Sequence, residues 1–345
     1  MIVQFRPILL TKRYPLRISR GVSTGSTNLF VQVSDGTHIG LGECAPGTGH
    51  NDQTFATAAQ EALSKFVERH DLAQGPHQVW ADMEAAGLDR AYMAGVDIAL
   101  WDLLGKQAKL PLRALLGLPR KTVATSVTIG INPPEVIAER VPEILHRTGA
   151  KHLKVKLGSP EGLDSDKASY LAVIEASKGS QVSFRVDANG GWNLNNAQAM
   201  VQWLADHGCD YVEQPLSDSD EPGLDMLFEG SPLPIFLDEW IRSSGDVARF
   251  SGRCHGVNLK LMKTGGLTEA LRVVATARAN GLKTMIGCMG ESPVAISAGA
   301  SLGALFDHID LDSHLNLLPG PVSGSRLEDG AVWPTEVPGH GALLD

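Results

Sequence analysis

Three short apolar runs end in carboxylates: Phe184-Arg-Val-Asp187, Tyr211-Val-Glu213 and Phe236-Leu-Asp238. If each run is a strand and the strands lie parallel, the three acids converge at one end of the sheet, where they repel one another unless a cation lies between them. An all-oxygen ligand set favours one Mg²⁺ per subunit, with Mn²⁺ as a workable substitute, and disfavours zinc. A single carboxylate at a strand end often just caps the next helix; three in register argue for a metal site.

Two lysine-bearing runs complete the chemistry. In Lys151-His-Leu-Lys-Val-Lys-Leu-Gly158 the period of two puts Lys154 and Lys156 on one face and Leu153, Val155 and Leu157 on the other. With the aliphatic face against helices, both ammonium groups enter the interior, where each lowers the pKa of the other and a lysine nearer neutrality can act as a base. Lys260 ends the run Gly256-Val-Asn-Leu-Lys260, and Lys263, three residues on, reads as a loop residue. A proton alpha to a carboxylate is too weakly acidic for an amine alone, and the enediolate it leaves needs coordination to the cation. Lys156 and Lys260, set opposite each other with Lys154 on the substrate side, suit removal of such a proton from one face and its return to the other.

These side chains need a scaffold that presents strand ends around one cavity. After Lys121, short apolar strands near 123–129, 152–157, 183–187, 210–213, 235–238, 256–260, 283–287 and 308–311 alternate with helix-like segments, the pattern of repeated βα units. Asp187, Glu213, Asp238 and Lys260 lie 26, 25 and 22 residues apart, room for a strand, a loop and a helix each time. A barrel of roughly eight strands closes such a series, places strands two and six opposite each other, and gathers functional residues at the strands' C-terminal ends. Residues 1 to about 45 read instead as antiparallel strands, with Asn28-Leu-Phe-Val-Gln-Val33 and Ile39-Gly-Leu-Gly-Glu43 alternating between Gly-rich turns. Helical patterning follows from Asp52 to Leu116, strongest over Ala94 to Leu104. The α/β chain thus divides into an α+β unit at 1–117, a barrel at 118–325, and a segment at 326–345 without βα pattern that returns to the first unit.

Composition narrows the partners. The 345 residues are 43% hydrophobic and 20% charged with net charge −9, which speaks against nucleic acid and for a small molecule. No apolar run is long enough to span a membrane, and Arg6 and Pro7 interrupt the start, so a cytoplasmic protein is expected. Cys44, Cys209, Cys254 and Cys288 are widely spaced and read as reduced thiols. Self-association into a homo-oligomer is compatible with all of this.

As a set, Lys154-Val-Lys156, Val186-Asp-Ala-Asn-Gly-Gly-Trp192, Val212-Glu-Gln-Pro-Leu216, Leu237-Asp-Glu239 and Leu259-Lys-Leu-Met-Lys-Thr-Gly-Gly266 resemble the enolase superfamily, in its muconate-lactonizing branch. Asp97-Ile-Ala-Leu-Trp-Asp102 and Gly40-Leu-Gly-Glu-Cys-Ala45 resemble the capping region of that family. The resemblance implies a modified (β/α)7β barrel closed by an N-terminal α+β capping domain that the C-terminal segment completes. Within the branch the chain is most similar to dipeptide epimerases, typified by L-Ala-D/L-Glu epimerase. There an Asp-x-Asp pair ending strand eight binds the substrate's free α-ammonium, and Ile309-Asp-Leu-Asp312 stands at that place, with Asp310 and Asp312 sharing a face under a period of two. The same resemblance puts Arg20 against the dipeptide's C-terminal residue, Met289 and Gly290 beside its N-terminal residue, and makes Asn189 and Glu239 groups that orient the metal ligands. Gly290 stands where a larger apolar residue is usual, and Ser313-His314 also departs from the common pattern; both put a plain Ala-Glu preference in doubt.

The expected reaction is therefore a Mg²⁺-dependent 1,1-proton transfer that inverts the α-carbon of a dipeptide's second residue. Two alternatives stay open. A cycloisomerase, or an N-acylamino-acid racemase/o-succinylbenzoate-synthase-like lyase, would share the metal and the lysines but offer no ammonium to Asp310 and Asp312. A non-catalytic binding barrel is the other, and the presence of every catalytic position speaks against it.

Overall fold

The computed structural model describes residues 1–47 and 49–345. Strands β1 (Ile2–Ile18), β2 (Gly21–Ser34) and β3 (Ile39–Cys44) form an antiparallel sheet in the order β1-β2-β3. Helices α1 (Phe55–Val67), α2 (Pro76–Ala85) and α3 (Arg90–Ala108) follow, α3 beginning where the Asp89 side chain accepts from the Ala91 amide. The two glycines of Ile39-Gly-Leu-Gly have a steric reason. A Cβ at Gly42 would lie 1.9 Å from the Gly95 carbonyl oxygen and one at Gly40 2.0 Å from that of Ala99, so α3 lies directly on the β3 backbone.

Eight parallel strands follow: β4 (Ser126–Ile129), β5 (His152–Lys156), β6 (Ser183–Asp187), β7 (Cys209–Glu213), β8 (Ile235–Leu237), β9 (Gly256–Lys260), β10 (Lys283–Gly287) and β11 (His308–Ile309). Each pairs with its sequence neighbour, and a Thr125–Ile309 bridge joins the last to the first, closing the barrel. Helical segments connect every successive pair, which is the (β/α)7β arrangement. The strand interior is filled one pleat below the site, where Tyr211 and Phe236 pack with tilted rings whose centres are 4.7 Å apart and Arg185 lies over the Tyr211 ring. The barrel is thus a plugged core, with the cavity described below at its C-terminal mouth.

Cap and barrel are pinned through α3. Asp97 accepts from the amide and hydroxyl of Thr268, Trp101 donates to the same hydroxyl, and Asp102 accepts from the amides of Leu41 and His340. The final residues run first under the barrel, where the Gly330 carbonyl accepts from Thr125, and then to the cap, where His340 donates to the Leu41 carbonyl. No helix among the described residues is long and apolar enough to cross a membrane. The four cysteines are free thiols, and Cys288 is the one that is not fully buried.

Candidate active site

Asp187, Glu213 and Asp238 end neighbouring strands or follow them directly, and the register sets Asp187 beside Glu213. All three are buried, each with a ligand oxygen within 4.8 Å of the others. Burial, reinforced by Asp187, pushes the Glu213 carboxyl up to about 8. This is the crowding a divalent cation relieves, and an all-oxygen donor set of this size fits Mg²⁺.

The lysines enter from both sides. Lys156 on β5 reaches Asp187 at 2.5 Å, and Lys260 on β9 reaches Asp238 at 2.6 Å. In the closed barrel β5 and β9 are strands two and six, so the two ammonium groups flank the carboxylate triad from opposite walls. Burial lowers the affinity of Lys260 for its proton, but Asp238, Glu213 and Glu239 outweigh it and carry the group well above its ordinary value.

Lys154 corrects the sequence-based expectation. It lies on the same interior face as Lys156, yet Glu213 at 2.9 Å and Asp310 in direct contact hold it. Burial opposes protonation, but the attraction of Asp310, Glu213 and Asp187 is larger, so Lys154 is held well above its ordinary value rather than lowered by a neighbouring cation. Lys263 is a second correction. It belongs to a single helical turn, Leu261–Thr264, is buried, and donates to Asp238 Oδ1 at 2.5 Å and to the Asn258 carbonyl at 3.0 Å, with the Asp238 carbonyl a third contact. Asp238 therefore carries two ammonium partners, which hold its carboxyl far below the usual range against the opposing effect of burial.

Asn189 and Glu239 surround the triad. Asn189 donates to Asp187 from its amide (2.7 Å) and its side chain (3.1 Å), and its side chain reaches Glu239 at 3.2 Å. Arg20 comes down from the cap to Glu239 at 2.5 Å and to the Asn189 carbonyl at 2.7 Å. Asp310 and Asp312 both face the cavity, but by a different route than a strand period of two: β11 ends at Ile309, and Asp312 has helical φ/ψ. Asp312 Oδ2 accepts from the Thr128 amide at 2.7 Å, whereas Asp310 is engaged by Lys154. Met289, Gly290 and Arg20 line the same cavity of about 1150 Å³.

Sequence reasoning passed over two further groups. Gln214 Oε1 accepts from the amides of Asp238 and Glu239 at 2.9 and 3.1 Å, fixing the start of the loop after β8, and Asn258 donates to Glu213 at 2.6 Å. Asn258 had a signal: it stands two residues before Lys260 in a strand and so shares its face. Gln214 had none beyond following Glu213.

Residues 3–117 match the mandelate racemase/muconate lactonizing enzyme N-terminal domain, and residues 136–345 match the enolase C-terminal domain-like family. The chain belongs to the enolase superfamily. Among its relatives there, a hydrophobic dipeptide epimerase of Roseobacter litoralis is 55% identical over 344 residues, covering 100% of this chain and 99% of that one. Another from a Flavobacteria bacterium is 52% identical over 340 residues, covering 99% and 97%. Among solved superfamily members, the dipeptide epimerase of Enterococcus faecalis complexed with Mg and L-Leu-L-Tyr superposes with a TM-score of 0.89 at 30% identity, covering 99% of this chain and 98% of that one.

Proposed function

We propose that the protein is a Mg²⁺-dependent dipeptide epimerase, an isomerase that inverts the α-carbon of the second residue. The observation that carries it is the pair of buried lysines, Lys156 and Lys260, on opposite walls of one carboxylate triad. Asp187, Glu213 and Asp238 are the residues that would hold the cation. What a divalent ion supplies there is stabilisation of the negative charge that builds on the substrate carboxylate as its α-carbon loses a proton. Between the two walls, one lysine in its neutral form takes the α-proton and the other, as ammonium, delivers a proton to the opposite face. The transfer leaves the two lysines with their protonation states exchanged, ready to act on the opposite epimer, and proton exchange with solvent restores the starting pair.

Asp312 gives the substrate's free α-ammonium a buried carboxylate, which an N-acylated amino acid or a diacid could not use. This favours a dipeptide over the substrates of the neighbouring cycloisomerases and racemases. Lys154 holds Asp310 and Glu213 in place and so bridges the ammonium end of the site to the metal end. Arg20 is committed to Glu239, which favours an uncharged side chain on the second residue.

Incubation with Mg²⁺ and a dipeptide library in D₂O tests the proposal. Deuterium should enter the α-position of the second residue with inversion. Absence of exchange from every dipeptide sinks it.

A further inference from the structure

We propose that Lys12 reads the side chain of the dipeptide's N-terminal residue and gives this enzyme a preference for one ending in a carboxylate or carboxamide. The inference rests on the dipeptide reading above and names which dipeptides that site takes.

Lys12 lies on β1, in the cap, and points into the same cavity as the catalytic lysines. Its Nζ donates to the Ser23 hydroxyl at 2.9 Å. Among the described residues no carboxylate oxygen comes within 4.0 Å of it, in contrast to Lys154, Lys156, Lys260 and Lys263. Burial pushes its ammonium below the ordinary lysine value, and the more distant charge of Asp52 only partly offsets this. A half-buried ammonium held by one neutral hydroxyl has donors left for an acceptor that enters the cavity.

Gly290 makes the space for that acceptor. A Cβ at this position would stand 3.5 Å from Lys12 Nζ and 3.4 Å from the Ser26 hydroxyl, so any longer side chain would occupy the volume in front of the ammonium. The Gly290 carbonyl accepts from Asn28 at 2.8 Å, which fixes this stretch of backbone against the cap. The stretch also ties Lys12 to the ammonium end of the site. Cys288, two residues before Gly290, has its Sγ 3.8 Å from Asp312 Oδ1 and lines the same cavity as Lys12. A dipeptide whose α-ammonium rests on Asp312 projects its first side chain from the same carbon, on the side of the cavity that Lys12 and Gly290 line.

The two ends of the dipeptide thus meet different cations. Arg20 has its charge matched by Glu239, whereas among the described residues Lys12 is hydrogen-bonded to Ser23 alone. An acidic or amide side chain on the first residue supplies the missing acceptor; an alanine leaves the ammonium as it is.

The test uses Lys12→Met, which keeps the stem and removes the charge, and Gly290→Leu, which fills the space. Values of kcat/KM are measured for wild type and both variants on L-Glu-L-Leu, L-Gln-L-Leu, L-Leu-L-Leu and L-Ala-L-Leu. We expect wild type to favour the Glu and Gln substrates over Ala, and the Glu/Ala ratio to fall about 10-fold or more in each variant, as loss of a charge-assisted hydrogen bond dictates. A Glu/Ala ratio that stays within about twofold of wild type in Lys12→Met, including a loss shared equally by all four dipeptides as expected if Lys12 merely balances the charge of Asp52 within the cap, overturns the proposal. Wild-type turnover of the Leu and Ala substrates keeps the two claims apart, because it sustains the epimerase reading when the ratio test fails. A wild-type protein that exchanges no dipeptide proton overturns both.

Discussion

Two groups of buried carboxylates in this molecule are satisfied in opposite ways. At the barrel mouth Asp187, Glu213, Asp238 and Asp310 are met chiefly by lysine ammonium groups. At the seam between cap and barrel, Glu43 and Asp97 are met by neutral donors: Ser292, Ala295 and Asn28 for the first, Thr268 for the second. Ion pairs made of lysines can exchange partners with a metal ion, a substrate carboxylate or a proton. Amides at a helix start cannot leave, so the seam fixes geometry while the mouth keeps its charges transferable.

The largest effects should come from removing transferable charge. Lys156→Ala and Lys260→Ala are each expected to lower epimerisation about 10³-fold or more, since in the mechanism proposed above each removes the acid/base group of one face. Following both α-proton exchange and inversion by NMR separates the faces, and full inversion in either variant would end the two-base assignment. Asp238→Asn comes next. It should weaken Mg²⁺ binding by about 10³-fold in calorimetric titration, beyond the ~10- to 100-fold that loss of an outer-sphere partner causes. It also strands two lysines, so a variant that binds Mg²⁺ normally would mean that the triad is structural.

The mouth was legible in the sequence because its signals are local. Asp187, Glu213 and Asp238 each close a short apolar run, and Lys154 and Lys156 share a strand face by simple alternation. What the sequence hid depends on closure. Asp310 reaches Lys154 only because strand eight returns beside strand one, so a lysine expected to be driven down by its neighbour is instead driven up. Lys263 looked like a loop residue because nothing local announces the turn at Leu261–Thr264 that folds it back on Asp238. The Arg20–Glu239 pair spans 219 residues and two domains, beyond the reach of any spacing argument. The seam was half visible: the polar residues of Asp97-Ile-Ala-Leu-Trp-Asp102 stood out, but not what they would bind.

The two regions should also differ in how stability depends on pH. Asp238 is held below its ordinary value, so its contribution is present at neutral pH and is lost on acidification. Asp97 is the reverse. Burial, only partly offset by Thr268, raises it to about 7, so between about pH 4 and pH 7 the unfolded chain gives up a proton that the folded one keeps. Stability from this group is therefore greatest at low pH and declines as pH rises to about 7. Denaturant titrations across that range should show wild type losing about 3 to 4 kcal/mol relative to Asp97→Asn, which does not titrate. A pH-independent difference between the two would show that the seam carboxylate is ionised throughout.

The smallest effect probes the seam where it touches substrate recognition. Glu43 accepts from the Ser292 amide and hydroxyl, from the Ala295 amide and from Asn28, which in turn holds the Gly290 carbonyl. Glu43→Gln keeps the shape and one acceptor oxygen but replaces the other with a donor facing donors. We expect a loss of about 1 to 2 kcal/mol, read as a Tm lower by a few degrees. Mg²⁺ affinity should not change, because Glu43 lies in the cap and touches none of Asp187, Glu213 or Asp238. KM for dipeptides should rise more than kcat falls, because what loosens is the stretch from Cys288 to Ser292, which we propose faces the N-terminal residue, rather than the lysines proposed to move the proton. A fall in kcat at constant KM would mean that the seam reaches the proton-transfer step, and the division between a fixed frame and a transferable centre would not hold.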